Sequence, residues 1–61
     1  MKNEQALFIV KIFKNDRKET YAGRVGGEQP QRSNLMEVAT DLNAFFASQG
    51  LNYYARVLEV E

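Results

Sequence analysis

The chain contains no cysteine, no histidine and no tryptophan, and it has one proline among its 61 residues. Without cysteine it forms no disulfide and offers no thiolate, and without histidine a zinc site would have to be built from carboxylates alone. The usual nucleophile and base pairs of covalent catalysis, such as Cys-His and Ser-His, cannot be drawn within one chain for the same reason. The composition therefore predicts a protein that is not an enzyme, with no metal and no cofactor.

The sequence also lacks a long apolar run, so it predicts neither a signal core nor a membrane span, and we expect a cytoplasmic protein. Eight basic and eight acidic residues give a formal net charge of zero. They are divided unevenly, with seven Lys or Arg and four acids in residues 1–33, and one Arg and four acids in residues 34–61. A neutral chain with this asymmetry favours self-complementary contact over the broad nucleic-acid affinity of a basic domain.

The length predicts a single small domain over residues 1–61. A chain of this size is near the lower limit for independent folding, because it buries only about 60% of its unfolded surface. Small natural domains often gain stability from disulfides, metals or self-association. Since disulfides are excluded by composition and a metal site is not expected, self-association is the remaining device.

Hydrophobic periodicity predicts four elements in the order strand, strand, helix, strand. The strands are expected over residues 6–14, 19–25 and 52–60, and the helix begins at Leu35. A polar turn at residues 15–18 joins the first two strands into a hairpin. Because a helix connects the second strand to the third, the third strand is expected to pair antiparallel with the first. The fold class is therefore α+β, a single ββαβ domain whose three-stranded antiparallel sheet has the order 2-1-3 and one helix on one face.

The first strand is expected at the centre of the sheet because it is apolar on both faces. Phe8, Val10 and Ile12 point to one face and are assigned to the helix-covered core. In the second strand, Tyr21 and Val25 are expected to share a face with Gly23, and a glycine within a strand pattern indicates a bulge or a close approach by another backbone.

The segment from Gly26 to Ser33 has no apolar residue and is expected to be a loop. Asn34 and Glu37 form a capping-box pattern at the predicted start of the helix. Glycine at position 50 is expected to end the helix in a left-handed conformation. The predicted inward stripe comprises Leu35, Val38, Ala39, Leu42, Phe45, Phe46 and Gln49, while polar residues including Asn43 fall largely on the outer side.

One helix covers only one of the two faces of the sheet, and the other face is predicted to remain apolar. Exposed apolar patches of this size are typical of interaction surfaces. The leading interpretation is a small non-enzymatic interaction or regulatory module that forms a homodimer, either face to face or by pairing of the third strand with its copy. The alternative is that the two termini fold back over this face. The expected interface residues are Leu7, Ile9, Phe13, Tyr54, Leu58 and Val60.

A basic and aromatic group on and near the hairpin supports an alternative function, the binding of single-stranded nucleic acid, in which aromatic side chains stack on bases beside a cationic track. A solvated hairpin or the binding of an acidic protein would also explain this group. A recognition helix is excluded, since the helix carries no Lys or Arg from Leu35 to Gln49. The expected contacts are Lys11, Lys14, Arg17, Lys18, Tyr21, Arg24 and Arg32.

Overall fold

The computed structural model describes residues 6–60 and contains three strands and one helix. These are β1 (Phe8–Lys14), β2 (Tyr21–Gln29), α1 (Arg32–Ser48) and β3 (Tyr53–Glu59). The strands form one sheet in the order β2-β1-β3, and β1 pairs antiparallel with both neighbours. The predicted ββαβ fold and strand order are therefore confirmed.

The core lies between α1 and one face of the sheet. Val10 at the centre of β1 is fully buried, and it packs with Ala55 of β3 and with Leu35, Ala39 and Phe46 of α1. The partly buried residues around this cluster are Phe8, Ile12, Val25, Leu42 and Val57. The helix packs over β3 and β1. The even-numbered side chains of β1 thus face the helix, as the period of two in the sequence predicted.

The C-terminal end of α1 is fixed by a Schellman motif. Gly50 has a φ of 67°, and its N–H donates to the Ala47 carbonyl at 3.2 Å. The N–H of Leu51 donates to the Phe46 carbonyl at 2.9 Å, which completes the motif. The expected role of Gly50 is confirmed.

The N-terminal end of α1 differs from the prediction. The helix begins at Arg32, three residues before Leu35, and its N-cap is Gln31, which makes no side-chain cap hydrogen bond. Asn34 lies inside the first turn, where its Nδ2 donates to Gln31 Oε1 at 3.2 Å. The capping-box interpretation was wrong because the first turn of α1 forms three residues earlier than the sequence indicated. Asn34 therefore lies within the helix and not at its N-cap.

Strand β2 extends to Gln29, so the first half of the expected loop at residues 26–33 is strand, and Gln29 pairs with Phe8. The register of the β1–β2 pair shifts twice. One shift lies between Phe8 and Val10, and it includes Gly26, whose φ is 74°. Glycine adopts this backbone conformation without strain, so the strand can bulge and continue.

The second shift lies between Ile12 and Phe13 and leaves Ala22 as an extra residue on β2. Gly23 pairs with Ile12, whereas Tyr21 pairs with Phe13. A bulge next to Gly23 is thus confirmed, but the expectation that Tyr21 shares the face of Gly23 and Val25 was wrong. The extra residue turns Tyr21 to the opposite face of the sheet.

The outer edge of β3 is covered by a side chain of α1. The hydrogen bonds from Val60 to Leu7 and from Asn15 to Asn52 show that even-numbered residues of this strand direct their backbone N–H and C=O groups toward β1. The backbone groups of the odd-numbered residues therefore point away from β1. Asn43 occupies the outward groups of Ala55: the Ala55 N–H donates to Asn43 Oδ1 at 2.7 Å, and Asn43 Nδ2 donates to the Ala55 carbonyl at 3.1 Å. The placement of Asn43 on the outer side of the helix was therefore wrong.

Candidate functional site

The face of the sheet opposite α1 carries two parallel rows of side chains. Each row takes one residue from each strand, because residues that are paired across antiparallel strands point to the same face. Neighbouring strands are about 4.8 Å apart, so each row spans about 10 Å, and the two rows are about 6.6 Å apart along β1. The aromatic row is Tyr21, Phe13 and Tyr54, and the cationic row is Arg24, Lys11 and Arg56.

The aromatic row is in continuous ring contact. The rings of Phe13 and Tyr54 are stacked with centroids 5.6 Å apart, and Phe13 meets Tyr21 edge to face at 6.0 Å. Tyr21 is 54% exposed, whereas Phe13 and Tyr54 are half-buried. The hydroxyl of Tyr54 is buried and finds no hydrogen-bond partner within residues 6–60. The row therefore offers one open ring at the β2 edge and two partly open rings beside it.

The cationic row lies beside the aromatic row, two residues away from it along β1 and β3. Lys11 pairs with Arg24 on β2 and with Arg56 on β3, and both arginines are exposed. The Nζ of Lys11 lies 5.7 Å from the centroid of the Tyr21 ring, within the range of a cation–π contact. Three positively charged side chains and three aromatic rings thus lie on the same face of the sheet, and no acidic residue belongs to either row.

The bulge at Ala22 is what brings Tyr21 and Arg24 to the same face. They are three residues apart, so strict alternation would place them on opposite faces. The extra residue restores the match, because Tyr21 then lies opposite Phe13 while Arg24 lies opposite Lys11. Regular alternation of side chains along β2 therefore does not predict that Tyr21 and Arg24 share a face.

The predicted nucleic-acid contacts are divided among three places. Lys11, Tyr21 and Arg24 lie together on the uncovered face. Lys14, Arg17 and Lys18 lie at the hairpin end, where Asp16 Oδ1 accepts from the backbone N–H groups of Lys18 and Glu19. Arg32 is the first residue of α1 and lies in a groove between α1 and β3 together with Arg56. The structure therefore does not gather all seven residues into one site.

The predicted interface residues share the uncovered face, but the cationic row separates them into two groups. Phe13 and Tyr54 belong to the aromatic row, and the aliphatic group on the other side of the cationic row comprises Leu7, Ile9, Leu58 and Val60. Five of the six residues are half-buried. The continuous apolar patch expected from the sequence is interrupted at its middle.

Ile9 corrects the sequence interpretation further, since it was expected to be open to solvent and is 2% exposed. It lies in the central strand and lines an open depression of about 470 Å³ with Lys11, Arg24, Glu28 and Leu58 around it. Long side chains on both neighbouring strands shield it, because a residue in the middle strand has neighbours on every side.

Apart from Tyr21, the exposed large apolar side chains lie elsewhere, and three of them belong to α1. Val38 and Phe45 were expected in the inward stripe, but they are 36% and 52% exposed, and Met36 is also exposed. The stripe is wider than the surface that the sheet covers, because the helix packs over β1 and β3 rather than over all three strands. Arg56 is the member of the cationic row that was not expected among the nucleic-acid contacts, because those were sought on and near the hairpin and Arg56 lies on β3.

Within residues 6–60 there is no cluster of three or more His, Cys, Asp or Glu side chains that could hold a metal ion. No helix in the same part of the chain is long and apolar enough to cross a membrane. No known protein family, curated protein or solved structure matches this chain. The function of the protein therefore depends on what these two rows of side chains can bind.

Proposed function

We propose that the protein binds single-stranded nucleic acid on the uncovered face of its sheet. The observation that carries this proposal is the aromatic row lying directly beside the cationic row. Proteins that bind single strands combine rings on which bases stack with a positive groove that follows the backbone. This face supplies both elements, about 6.6 Å from each other along β1.

The exposure of the rings favours a single strand over a duplex. Bases can stack on Tyr21 only when their faces are free, which is the case in single strands, loops and ends. The helix offers no cation between Leu35 and Gln49 that could read a groove. Because the net charge is zero, we expect stacking to contribute more to affinity than long-range attraction does.

The same geometry disfavours the face-to-face dimer as the main function. A two-fold axis through the middle of this face would bring the cationic row of one copy against that of the other, and like charges in a buried contact are costly. Pairing of β3 with its copy is hindered as well, because Asn43 holds the outward backbone groups of Ala55. Strand β2 carries two register shifts, which protect an edge from pairing.

The experiment is a titration of labelled single-stranded DNA and RNA oligonucleotides at two salt concentrations, with folding checked by circular dichroism. We expect binding at low salt that weakens as salt rises. Tyr21→Ala removes the open ring and should weaken binding by about 5- to 150-fold, since stacking contributes about 1–3 kcal/mol per base. Phe45→Ala is the matched control, because it removes an aromatic ring of similar exposure from α1.

Two results would contradict the proposal. One is the absence of binding by the unmodified protein at low salt. The other is an equal effect of Tyr21→Ala and Phe45→Ala, which would show that the position of the ring on the sheet face does not matter.

The homodimer is the second candidate, and the aliphatic group favours it. Leu7, Leu58 and Val60 are half-buried beside Ile9, outside both rows, and they could meet a second copy near the end of the sheet. Light scattering at micromolar concentration tests this, and Leu58→Asp should then dissociate the dimer. A monomer in both proteins would exclude it. In either case we propose a cytoplasmic binding protein without catalytic activity and without a cofactor.

A further inference from the structure

We propose that a strand bound on the sheet face continues around the edge of β3, where Arg56 and Arg32 bind one of its phosphates. This inference rests on the proposed function and adds a path and a second subsite to it. The subsite is the groove between α1 and β3, which has a volume of about 320 Å³.

The groove has a chemistry suited to an anion. Arg32 comes from the first turn of α1 and Arg56 from β3, so two arginines from different elements line one concave surface. The other lining residues are neutral, among them Thr40 and Asn43. Guanidinium groups bind phosphate oxygens through parallel N–H donors, and a groove without a carboxylate leaves those donors available to a phosphate.

Arg56 connects the groove with the sheet face. It pairs with Lys11 in the cationic row, and it also lines the groove beside Arg32. Because β3 is an edge strand, a long side chain on it can serve both sides of the edge. The cations Arg24, Lys11, Arg56 and Arg32 therefore form one track that crosses the sheet from β2 to β3 and turns onto α1.

The depression at the aliphatic end of the same face is a less favourable path. It contains Lys11 and Arg24, but Glu28 and Glu59 also line it. Carboxylates repel phosphates, so the charge of the surface directs a bound strand toward β3 and Arg32 rather than toward this depression.

The test compares two oligothymidylates, one of about four nucleotides, which covers the sheet face, and one of about ten, which can also reach the groove. Affinity is measured at several salt concentrations for the unmodified protein, Arg32→Gln and Lys18→Gln. In the longer oligonucleotide, Arg32→Gln should weaken binding about 3- to 10-fold and reduce the slope of log K against log salt by about 0.7, the value for one phosphate contact in a single strand. The shorter oligonucleotide should bind Arg32→Gln as tightly as it binds the unmodified protein.

Lys18→Gln is the control for charge, since it removes one positive charge at the hairpin turn, away from the track. Arg32→Gln should remain folded, because a cation at the start of a helix does not stabilise it. If Arg32→Gln and Lys18→Gln have the same effect on the longer oligonucleotide, or if Arg32→Gln also weakens the shorter one, the path is wrong while the proposed function stands. If the unmodified protein binds neither oligonucleotide, the proposed function and this inference are both wrong.

Discussion

Asn43 of α1 pairs with the backbone of Ala55 in β3 through both polar atoms of its side-chain amide, at 2.7 Å to the Ala55 nitrogen and 3.1 Å to the Ala55 oxygen. The amide thus takes the place that a fourth strand would occupy at this point of the edge. This pair fixes α1 against β3 and satisfies two backbone groups that would otherwise be open to another chain.

We therefore expect Asn43→Ala to lower the free energy of unfolding by about 1–3 kcal/mol, because it leaves both backbone groups of Ala55 without a partner. It should also increase self-association, since the edge of β3 becomes available. Urea denaturation and light scattering measure the two effects. Asn34→Ala is the control, because its amide bonds only the exposed side chain of Gln31. Equal stability of the two variants would contradict the structural role of Asn43.

Tyr54 is expected to tolerate the loss of its hydroxyl group. The hydroxyl is buried without a partner in residues 6–60, and a buried unpaired polar group costs about 1–3 kcal/mol. Tyr54→Phe should therefore leave the stability unchanged or raise it by about 1 kcal/mol, while the stacking on Phe13 is preserved. Tyr21→Phe, at a largely exposed position, should have no effect on stability. A loss of more than about 1 kcal/mol in Tyr54→Phe would show that the hydroxyl has a partner.

Two neighbouring glycines should respond differently to alanine. Gly26 has a φ of 74°, and Gly26→Ala should cost about 1–2 kcal/mol, because an L-residue is strained in this conformation. Gly27 has no positive φ, and an added Cβ would meet no atom within 4 Å at either position. Gly27→Ala should therefore be neutral or stabilise by about 0.4–1 kcal/mol through the unfolded chain. Thermal or urea denaturation of both variants checks the difference, and the reverse order would contradict the register assigned to β2.

Phe13 allows the stability of the sheet to be separated from ligand binding. It is half-buried between Tyr21 and Tyr54, so Phe13→Leu keeps most of the apolar volume and should cost less than about 1.5 kcal/mol. The same change removes the central ring of the aromatic row, and nucleic-acid binding should fall by at least about 5-fold. Oligonucleotide titration of the folded variant measures this, and unchanged binding would show that the row does not act as a stacking surface.

The fold was largely predictable because the strongest patterns are local. The alternation in β1, the turn at residues 15–18 and the glycine at position 50 each determine one element with little help from the rest of the chain. The face that the helix covers also followed from the even-numbered residues of β1. These features gave the correct strand order.

What the sequence did not reveal depends on contacts between distant residues. Asn43 and Ala55 are twelve residues apart, and nothing in the helical pattern indicates that an amide at the flank of the stripe pairs with a strand edge. The burial of Ile9 depends on long side chains from the neighbouring strands. The position of Tyr21 depends on one unpaired residue, which shifts the alternation for everything before it.

At the natural length of β2, the aromatic row depends on the bulge at Ala22 rather than on the identity of the residue there. Ala22 is exposed and contributes little to the core, so most replacements at this position should be harmless. Deleting it would leave Tyr21 two positions before Arg24, so regular alternation without a bulge would keep both side chains on the uncovered face. The bulge thus takes up one residue more than regular pairing needs, and in this way it keeps the most open ring of the site opposite Phe13.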